Sequence, residues 1–230
     1  MRAPLSVVIP TLNAEAALGR CLGALVEGLE AGLVRELIVT DGGSSDATCA
    51  IAQAWGGEVV TGPPSRGGQL RRGCAAASGD WLLVLHADTV LLSGWSRRVE
   101  AHLPSGAPAA FHLRFDAADG AARRVAAWAN WRSRRGLPYG DQGLLLPRAL
   151  YDRARGYPDQ PLMEDVALVR ALDTPVVMLD AIAMTSADRY RRQGWLRRGG
   201  RNLMLLARYF AGADPHALAR AYRRQAGERD

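Results

Sequence analysis

The sequence contains no lysine: all 29 of its lysine-or-arginine positions hold arginine. A P-loop places a lysine beside the nucleotide phosphates, and a Schiff-base enzyme needs a lysine amine to attack its substrate. The absence of lysine therefore excludes both classes. The formal net charge of +6 is compatible with a diphosphate, an anionic membrane or a nucleic acid as partner, and equally with a basic surface that is only solvated.

Cysteine is scarce as well. Cys21, Cys49 and Cys74 are far apart in the chain, without a CxxC pair and without a histidine at metal-ligand spacing. This spacing argues against a disulfide framework and against a structural zinc site. Since unpaired cysteine is among the most buried residue types, we predict buried, reduced thiols.

Long apolar runs are also missing. Even residues 176–184 are interrupted by Asp180, and no run reaches the roughly 18 residues that a membrane-spanning helix needs. At the N-terminus, the run 5–9 is too short for the core of a signal peptide and ends at Pro10. We therefore expect a cytoplasmic protein. Its 230 residues and apolar fraction of 48% predict a single globular domain.

What the sequence does show is an alternation of short apolar runs with helical patterns. The apolar runs are residues 5–9, 36–40, 57–61 and 81–85, and the helical segments are residues 14–29, 46–55 and 69–77. This order is typical of a parallel sheet connected by crossover helices. Strands this apolar on both faces belong inside a sheet, so we predict an α/β fold.

The second half has a looser pattern. A strand is predicted at residues 109–115, a helix at residues 121–134 and a further apolar run at residues 144–147, after a glycine-rich approach. In the first half, Ser45 or Asp46 is predicted to be the N-cap of the helix that follows the glycine-rich turn.

Polar and acidic residues follow each of the four predicted strands. They form the segments 10–15 (PTLNAE), 41–46 (DGGSSD), 65–69 (SRGGQ) and 86–89 (HADT). Ligands of open α/β sheets bind beyond the carboxyl ends of the strands, so these segments predict one ligand site. A turn or a helix cap explains any single segment, but it explains all four together less well.

Four motifs occur in a characteristic order and spacing. They are residues 7–13 (VVIPTLN), 38–46 (IVTDGGSSD), 76–88 (AASGDWLLVLHAD) and 161–165 (PLMED). Over nearly the whole chain this pattern resembles the family 2 glycosyltransferases of the GT-A fold. It is similar to a small bacterial branch in which the metal motif reads HAD and a GDQG segment, here residues 140–143, follows. The resemblance implies a mostly parallel central sheet flanked by helices, with a helical C-terminal segment.

The resemblance also implies that different segments of one glycosyltransferase domain bind the donor and the acceptor. Residues of about 1–103 would bind the nucleotide-sugar donor, residues of about 104–193 would form the acceptor and catalytic half, and residues of about 194–230 would form C-terminal helices. The implied reaction is the metal-dependent transfer of a sugar, with inversion, from a UDP- or GDP-type nucleotide sugar to an acceptor hydroxyl. The sugar and the acceptor stay open.

Carried over position by position, the resemblance implies a donor site at the strand ends. Asp41 would accept a hydrogen bond from the base, which selects a base with a ring N–H, such as uracil or guanine. The residues implied in donor binding are Pro10, Thr11, Asn13, Glu15, Asp41, Gly42, Arg66, Gln69, His86, Ala87 and Asp88.

Asp88 resembles the last acid of the family's DxD element, which binds Mg²⁺ or Mn²⁺. Magnesium commonly takes one or two protein carboxylates and completes its shell with substrate phosphates and water, so one protein ligand suffices. His86 stands in place of the first acid of that element. It could contact the ribose, join the metal ligands or only pack, and the sequence leaves these three roles open.

Glu164 and Asp165 resemble the family's catalytic acid pair, whose aspartate deprotonates the acceptor hydroxyl. A sugar hydroxyl is a poor nucleophile near neutral pH, so a carboxylate within hydrogen-bond reach serves as its base. Without the resemblance, the pair is equally well explained as acidic residues in the first turn of a helix, where the helix dipole stabilises them. With it, we predict that Asp165 is the catalytic base.

Further polar residues are candidates for binding the acceptor or the leaving diphosphate, whose charge a metal and arginine would stabilise. Residues 191–195 (RRQGW) faintly resemble an arginine- and tryptophan-bearing motif of larger relatives, although the spacing differs. The candidates are Asp141, Gln142, Glu164, Arg191, Arg192 and Trp195, with Arg66 and Arg189 for the diphosphate. The alternative for the arginines is a solvated surface.

Other classes of protein compete with this interpretation. A Rossmann dehydrogenase requires a glycine-rich turn directly after its first strand, where this chain has Pro10. A sugar nucleotidyltransferase generally relies on a lysine at its phosphates. Nucleic-acid binding through Trp128 and Trp131 is disfavoured, because their i, i+3 spacing is explained by packing in the core or on the acceptor side. A non-catalytic scaffold with the same nucleotide site stays open.

The segment 195–210 is predicted to be an amphipathic helix. Its apolar face combines Leu196, Leu203, Leu206 and Phe210, and its charge comes from Arg197, Arg198, Arg201 and Arg208. Helices of this kind lie on anionic membranes, so this one would dock peripherally on the inner face and meet a lipid-linked acceptor. The alternative is a helix that covers the core with an apolar stripe.

Overall fold

The computed structural model describes the backbone of residues 3–226 and the side chains of residues 3–222. Its strands are β1 (Leu5–Thr11), β2 (Val34–Asp41), β3 (Glu58–Thr61), β4 (Trp81–Val84), β5 (Thr89–Leu91), β6 (Ala109–Phe115), β7 (Leu144–Pro147) and β8 (Val177–Thr185). Within the described range they form one eight-stranded sheet in the order β3-β2-β1-β4-β7-β6-β8-β5.

Helices cover both faces of this sheet. They are α1 (Glu15–Glu30), α2 (Thr48–Ala54), α3 (Arg66–Ala76), α4 (Trp95–His102), α5 (Gly120–Arg134), α6 (Arg148–Arg153), α7 (Glu164–Ala171), α8 (Asp188–Gln193), α9 (Trp195–Phe210) and α10 (Pro215–Ala226), with short 3₁₀ turns at Leu103–Ser105 and Gly140–Gln142. Within residues 3–226, none of them combines the length and the hydropathy that crossing a membrane requires.

The first four strands confirm the α/β prediction. β1 pairs in parallel with both β2 and β4, and β2 pairs in parallel with β3. Each predicted strand and helix of this half overlaps its observed counterpart, and their ends differ by at most three residues. Successive side chains of β1 enter different cores: Val7 belongs to the buried cluster that contains Trp95 of α4, and Val8 belongs to the cluster that contains Leu70 of α3. Burial on both faces explains why these strands read as continuous apolar runs.

The second half of the sheet is mixed. β7 runs antiparallel to β4 and β6, β5 runs antiparallel to β8, and β6 runs parallel to β8. The sequence pattern did not predict β5 or β8. β5 has three residues, and β8 contains the exposed Asp180, which pairs with Arg98 at 2.9 Å and interrupts the apolar pattern. The sheet is therefore purely parallel only among β1 to β4, and the mostly parallel sheet that the resemblance implied is a mixed one.

The N-cap prediction for α2 was wrong. The N-cap is Ala47, which makes no side-chain capping bond. Asp46 instead accepts hydrogen bonds from the backbone N–H groups of Thr48 (3.0 Å) and Glu15 (3.1 Å). Its carboxylate thereby connects the loop after β2 to the loop after β1, and this connection holds two strand-end segments in place.

Two of the three thiols are buried as predicted. Burial raises the pKa of Cys21 and of Cys74 to about 12, so both stay protonated near neutral pH. Cys49 is only partly buried. All three are free.

The C-terminal helices pack against the start of α7. Leu205 and Leu206 of α9 and Leu218 of α10 share a buried cluster with Leu162 and Val166. This cluster places α9 and α10 over the carboxyl edge of the sheet, next to the predicted catalytic pair.

Candidate active site

Several loops meet at the carboxyl edge of the sheet. His86 and Asp88 directly follow β4. Because β7 runs antiparallel to β4, with Leu144 opposite Val84, the turn Gly140–Gln142 before β7 lies at the same edge. β6 and β8 run in the same direction as β4, so their carboxyl ends also reach this edge.

These loops and the C-terminal helices enclose one cavity. Acidic and basic side chains share its wall. The charged or titratable residues that line it are Arg66, His86, Asp88, Asp141, Glu164, Asp165, Arg189 and Arg198, with Tyr139, Tyr190 and Tyr222 beside them. A wall of both signs suits a ligand that combines anionic phosphates with a metal cation.

Asp165 is held in a fixed orientation. Met163, the N-cap of α7, has a left-handed backbone conformation (φ +63°), which turns the chain sharply before Glu164 and Asp165. The Oδ2 atom of Asp165 accepts a hydrogen bond from the N–H of Gly140 (2.7 Å), and Oδ1 accepts one from the N–H of Val166 (2.7 Å). The predicted base thus lies on the cavity wall, fastened to the turn before β7.

Two neighbouring acids, the buried Glu164 and the half-buried Asp141, are incompletely bonded. Burial and the Asp165 carboxylate raise the pKa of Glu164 to about 7, although Arg66 opposes the shift. Burial, together with Asp165 and Asp88, also raises the pKa of Asp141, against the effect of Arg132 and His86. Oδ1 of Asp141 and Oε2 of Glu164 have no hydrogen-bond partner within residues 3–222. Carboxyl groups are therefore crowded on this side of the cavity, and the crowding favours the protonated forms of Glu164 and Asp141.

His86 packs against Gly140. A Cβ atom on Gly140 would lie 2.5 Å from Nε2 of His86, so a side chain at position 140 would displace the imidazole or the turn. Burial and Arg66 lower the pKa of His86, while Asp88 and the other nearby carboxylates oppose the shift. The structure places the ring at the cavity, and its role at the ribose or at a metal stays a prediction.

Arg198 corrects the sequence prediction for α9. It was predicted to be one of the exposed charges of this helix, but it is only 8% exposed. Its guanidinium donates hydrogen bonds to Oε1 of Gln193 (2.9 Å) and to the hydroxyl of Tyr222 (3.0 Å). Arg198, Asn202 and Leu205 are spaced i, i+4, i+7, and this spacing was the available sequence sign that they share the inward face. No motif indicated Tyr222.

Other candidates lie outside the cavity wall. Arg191 and Arg192 are exposed on α8, and Arg191 pairs with Asp188 at 3.6 Å. Trp195 packs edge-on against Phe115, with ring centroids 5.1 Å apart, and supports the wall from behind. Gln142 is fully buried, accepts a hydrogen bond from the Ser133 hydroxyl and donates one to the carbonyl of Phe111. Its contacts are structural, because it joins α5, β6 and the 3₁₀ turn.

Asp41 occupies a cage of protein donors. Its carboxylate accepts hydrogen bonds from the hydroxyl of Thr11 (2.9 Å), from the N–H groups of Gly43 (2.8 Å) and Ser44 (2.7 Å), and from the Ser44 hydroxyl. Burial would raise the pKa of Asp41, but these donors outweigh it and lower the pKa. A carboxylate has about four lone-pair sites. A nucleotide base would therefore have to replace one of the four protein donors.

The remaining donor candidates hold the loops after β1 and β2 together. Gln69 is buried, and its amide donates to the carbonyls of Thr11 (2.7 Å) and Thr40 (2.8 Å). Asn13 accepts from the N–H of Ser45 (2.9 Å), and Glu15 accepts from the N–H of Ala47 (2.9 Å). The other candidates of this region are Pro10 at the end of β1, Gly42 against the Gln69 amide, and Ala87 between His86 and Asp88.

The donor set of the cavity fits a divalent cation. Within the described residues there is no group of three or more His, Cys, Asp or Glu side chains arranged to hold a metal. However, Asp88 is half-buried on the wall, and the unpartnered oxygen of Asp141 belongs to the same group of carboxylates. Carboxylate oxygens are the ligands that Mg²⁺ and Mn²⁺ prefer, and substrate phosphates and water can complete the shell.

Proteins of similar sequence are glycosyltransferases. An uncharacterised glycosyltransferase of Mycobacterium tuberculosis (strain ATCC 25618 / H37Rv) is 30% identical over 180 residues, covering 70% of this chain and 78% of that protein. Glucosyl-3-phosphoglycerate synthase of the same strain is 38% identical over 95 residues, covering 37% of this chain and 29% of that enzyme. This match spans less than a third of the synthase.

Solved structures share the fold. Glucosyl-3-phosphoglycerate synthase from Mycobacterium tuberculosis, in complex with Mn²⁺, UDP and glucosyl-3-phosphoglycerate, has a TM-score of 0.52 and 26% identity, covering 80% of this chain and 70% of that one. S. aureus TarS 1–349 has a TM-score of 0.59 and 14% identity, covering 88% and 64%. The architecture is therefore the GT-A fold. A family model described as Glycosyl transferase family 2 matches residues 6–147, and this chain belongs to that family.

Proposed function

We propose that this chain transfers a sugar from a UDP-type nucleotide sugar to an acceptor hydroxyl, with a divalent metal and with inversion at the anomeric carbon. One observation carries the proposal: Asp88, after β4, and Asp165, at the start of α7, line the same cavity, and Gly140 fastens Asp165 there. The similar synthase was solved with Mn²⁺ and UDP, which supports the metal and the type of donor.

Each side chain has a role in this proposal. Asp88 would hold Mg²⁺ or Mn²⁺, which when bound neutralises the diphosphate of the donor and favours its departure. Asp165 would accept the proton of the acceptor hydroxyl as the new glycosidic bond forms. Because one displacement replaces the diphosphate from the opposite side, the configuration inverts. Arg66, which is close enough to Asp88 and Asp165 to interact with both, would add positive charge near the leaving group.

The donor would bind mainly to residues of about 1–103, and the acceptor to residues of about 104–193 and to the C-terminal helices beyond them. At Asp41, the Ser44 hydroxyl is the donor that a base can replace, because a hydroxyl can rotate away while the backbone N–H groups stay in place. That exchange would leave the loop intact and free one acceptor site for a ring N–H.

A thermal-shift experiment tests the donor and the metal together. UDP and UDP-sugars are added to wild type and to Asp88→Asn, with Mn²⁺ or with EDTA. A ligand at 100 times its Kd adds about 2.7 kcal/mol to the free energy of unfolding, or roughly 5–10 °C in Tm. We expect this shift for wild type with Mn²⁺, a clearly smaller one with EDTA, and no effect of Mn²⁺ in Asp88→Asn.

The matched control is Asp152→Asn, an exposed acid on α6 away from the cavity, which should respond like wild type. Equal stabilisation of wild type by UDP in Mn²⁺ and in EDTA would contradict the metal assignment. Stabilisation by GDP but not by UDP would contradict the donor type.

We also infer that the protein contacts a membrane peripherally, because apolar side chains of α9 and α5 are exposed. Leu196, Leu203 and Phe210 of the predicted face are 90%, 50% and 46% exposed, whereas Leu206 is buried in the core, contrary to the prediction. Trp128 and Trp131 of α5, predicted to pack, are 49% and 44% exposed and stack on each other at 4.9 Å. α5 and α9 contact each other and contain no acidic residue.

Aromatic and aliphatic side chains beside arginine are typical of surfaces that bind anionic lipid. In vesicle co-sedimentation, wild type should pellet with vesicles of phosphatidylglycerol but not with pure phosphatidylcholine, and less at 0.5 M than at about 0.05 M salt. The double variant Trp128→Ser, Trp131→Ser should bind several-fold less. Equal pelleting of this variant, or binding of a nucleic acid in place of vesicles, would reject the membrane surface.

A further inference from the structure

Three arginines of the cavity wall interact with one hydroxyl, that of Tyr222. Arg66, Arg189 and Arg198 interact with the phenol of Tyr222, whose pKa burial would raise but these cations lower. Among the described side chains, no carboxylate lies within 4.0 Å of any of these three guanidinium groups, whereas Arg98, Arg153 and Arg191 each form such a pair. Arg66 still interacts with Glu164, Asp165 and Asp88 at longer range. Within residues 3–222, Arg189 and Arg198 are therefore the two cations of this group that lack a nearby carboxylate.

Arg198 is the most informative of the three. It is buried, two of its nitrogens donate to Gln193 and Tyr222, and its Nε has no hydrogen-bond partner within the described part of the chain. A buried cation with an unpaired donor is destabilising unless an anion compensates it. The Tyr190 ring, 5.0 Å from the guanidinium, compensates part of this charge. Because Arg189 lies on the same cavity wall, the two cations together suit the binding of an anionic group.

The order of the sheet separates this group from the nucleotide side. The nucleoside candidates follow β1 and β2, and Asp88 follows β4. β7 and β6 then intervene before β8, which leads into α8 and α9 with Arg189 and Arg198. Asp165 is bonded to Gly140, just before β7, and so lies between Asp88 and these arginines. Arg66 precedes β4 in the chain and interacts with Asp88, which leaves it on the donor side.

We propose that the acceptor is a phosphate monoester, whose phosphate binds Arg189, Arg198 and the Tyr222 hydroxyl while its free hydroxyl reaches Asp165. This inference rests on the proposed function and names the class of its second substrate. Guanidinium groups match phosphate oxygens with paired hydrogen bonds, and the phenol adds a third donor. Asn202, on the same face of α9, lies on the cavity wall beside them.

Calorimetry on the protein saturated with UDP and Mn²⁺ tests this assignment, because saturation removes the donor site from competition. The probes are inorganic phosphate and glycerol 3-phosphate, with glycerol as the uncharged comparison. Wild type should bind both phosphates and not glycerol. Arg189→Gln and Arg198→Gln should each weaken phosphate binding about tenfold or more, since each removes a charge-assisted contact.

Two controls keep the outcome interpretable. Arg220→Gln, an exposed arginine on α10 outside the cavity wall, should bind phosphate within twofold of wild type. Arg189→Gln removes an exposed side chain, so it tests the site even if Arg198→Gln lowers the Tm or fails to fold. UDP affinity should stay within about threefold in every variant.

The outcomes against the inference differ from those against the proposed function. Failure of wild type to bind UDP contradicts the proposed function, and the acceptor inference falls with it. UDP binding without phosphate binding, or phosphate binding that neither arginine variant weakens, contradicts the acceptor inference alone. A loss of UDP affinity as large as the loss of phosphate affinity would assign these arginines to the donor diphosphate. This result would also contradict the acceptor inference.

Discussion

The loops after β1 and β2 and the acidic side of the cavity both carry carboxylates, but these carboxylates differ in their hydrogen bonding and in their pKa. Asp41 accepts four hydrogen bonds from protein donors, and its pKa is lowered. Glu164 is also buried, yet one of its oxygens has no partner in the described residues, and its pKa is raised to about 7. The first region is complete without a ligand. The second has charges and polar atoms that a ligand would satisfy, as expected for groups that act on a substrate.

The largest effect that the comparison predicts concerns turnover. Asp165→Asn keeps the shape of the side chain but removes the proposed base, so kcat should fall roughly 10²–10⁴-fold. UDP affinity should change little, because the proposed function places Asp165 on the acceptor side of Asp88. Transfer of sugar, and hydrolysis of the donor in the absence of an acceptor, would both be followed by the release of UDP.

Asp152→Asn serves as the control and should turn over like wild type. If Asp165→Asn retained near-normal transfer, the base would be another group, with Glu164 and Asp141 as the nearest alternatives. Absence of any UDP release by wild type over a broad panel of acceptors would favour the non-catalytic scaffold.

The next effect tests whether the hydrogen bonds of the loops after β1 and β2 are complete without a ligand. Asp41→Asn would place an amide NH₂ either against the N–H donors of Gly43 and Ser44 or against the hydroxyls of Thr11 and Ser44, which would then have to turn and accept. In both orientations the substitution removes the charge that four donors stabilise. We expect a loss of about 1.5–3 kcal/mol in the free energy of unfolding by urea. Asp165→Asn should lose less, because two backbone donors hold its carboxylate. A larger loss for Asp165→Asn would reverse the comparison.

The smallest effect is a difference in pH dependence. A carboxyl whose pKa rises from 4.5 to about 7 on folding keeps its proton in the folded state. Its cost to stability is absent below about pH 4.5 and grows as the pH rises towards 7. Without metal or nucleotide, Glu164→Gln should thus match wild type near pH 4.5 and be more stable at pH 8, on the order of 1–3 kcal/mol.

The lowered pKa of Asp41 predicts the opposite sign: its stabilisation is present above the ordinary pKa of 3.8 and is lost as the pH falls through the folded value. Urea unfolding of wild type, Glu164→Gln and the exposed-acid control Glu100→Gln between pH 4.5 and 8 would measure the Glu164 effect. If the stability difference between Glu164→Gln and wild type were the same at every pH, the titration of Glu164 would not be its cause.

Much of the first half was predictable because its information is local. The runs 5–9 and 36–40 are continuous and apolar, and polar segments follow them directly. β8 escaped prediction because the exposed Asp180 lies within it, and β5 because three residues are too few to show a period. The candidate residues Asp88, Asp141, Glu164 and Asp165 do meet in one cavity, whereas Arg191, Arg192, Gln142 and Trp195 do not line it.

The sequence by itself determined the α/β class, the positions of β1 to β4 and the polar segments at their ends, because apolar period and turn residues act over a few positions. Only the tertiary structure decided which polar residues meet. Antiparallel β7 brings Gly140 to Asp165, although 24 residues separate them in the chain. Arg197 and Arg198 are chemically identical neighbours, yet successive residues of a helix point about 100° apart, and the packing of α9 against α10 turned only Arg198 inward.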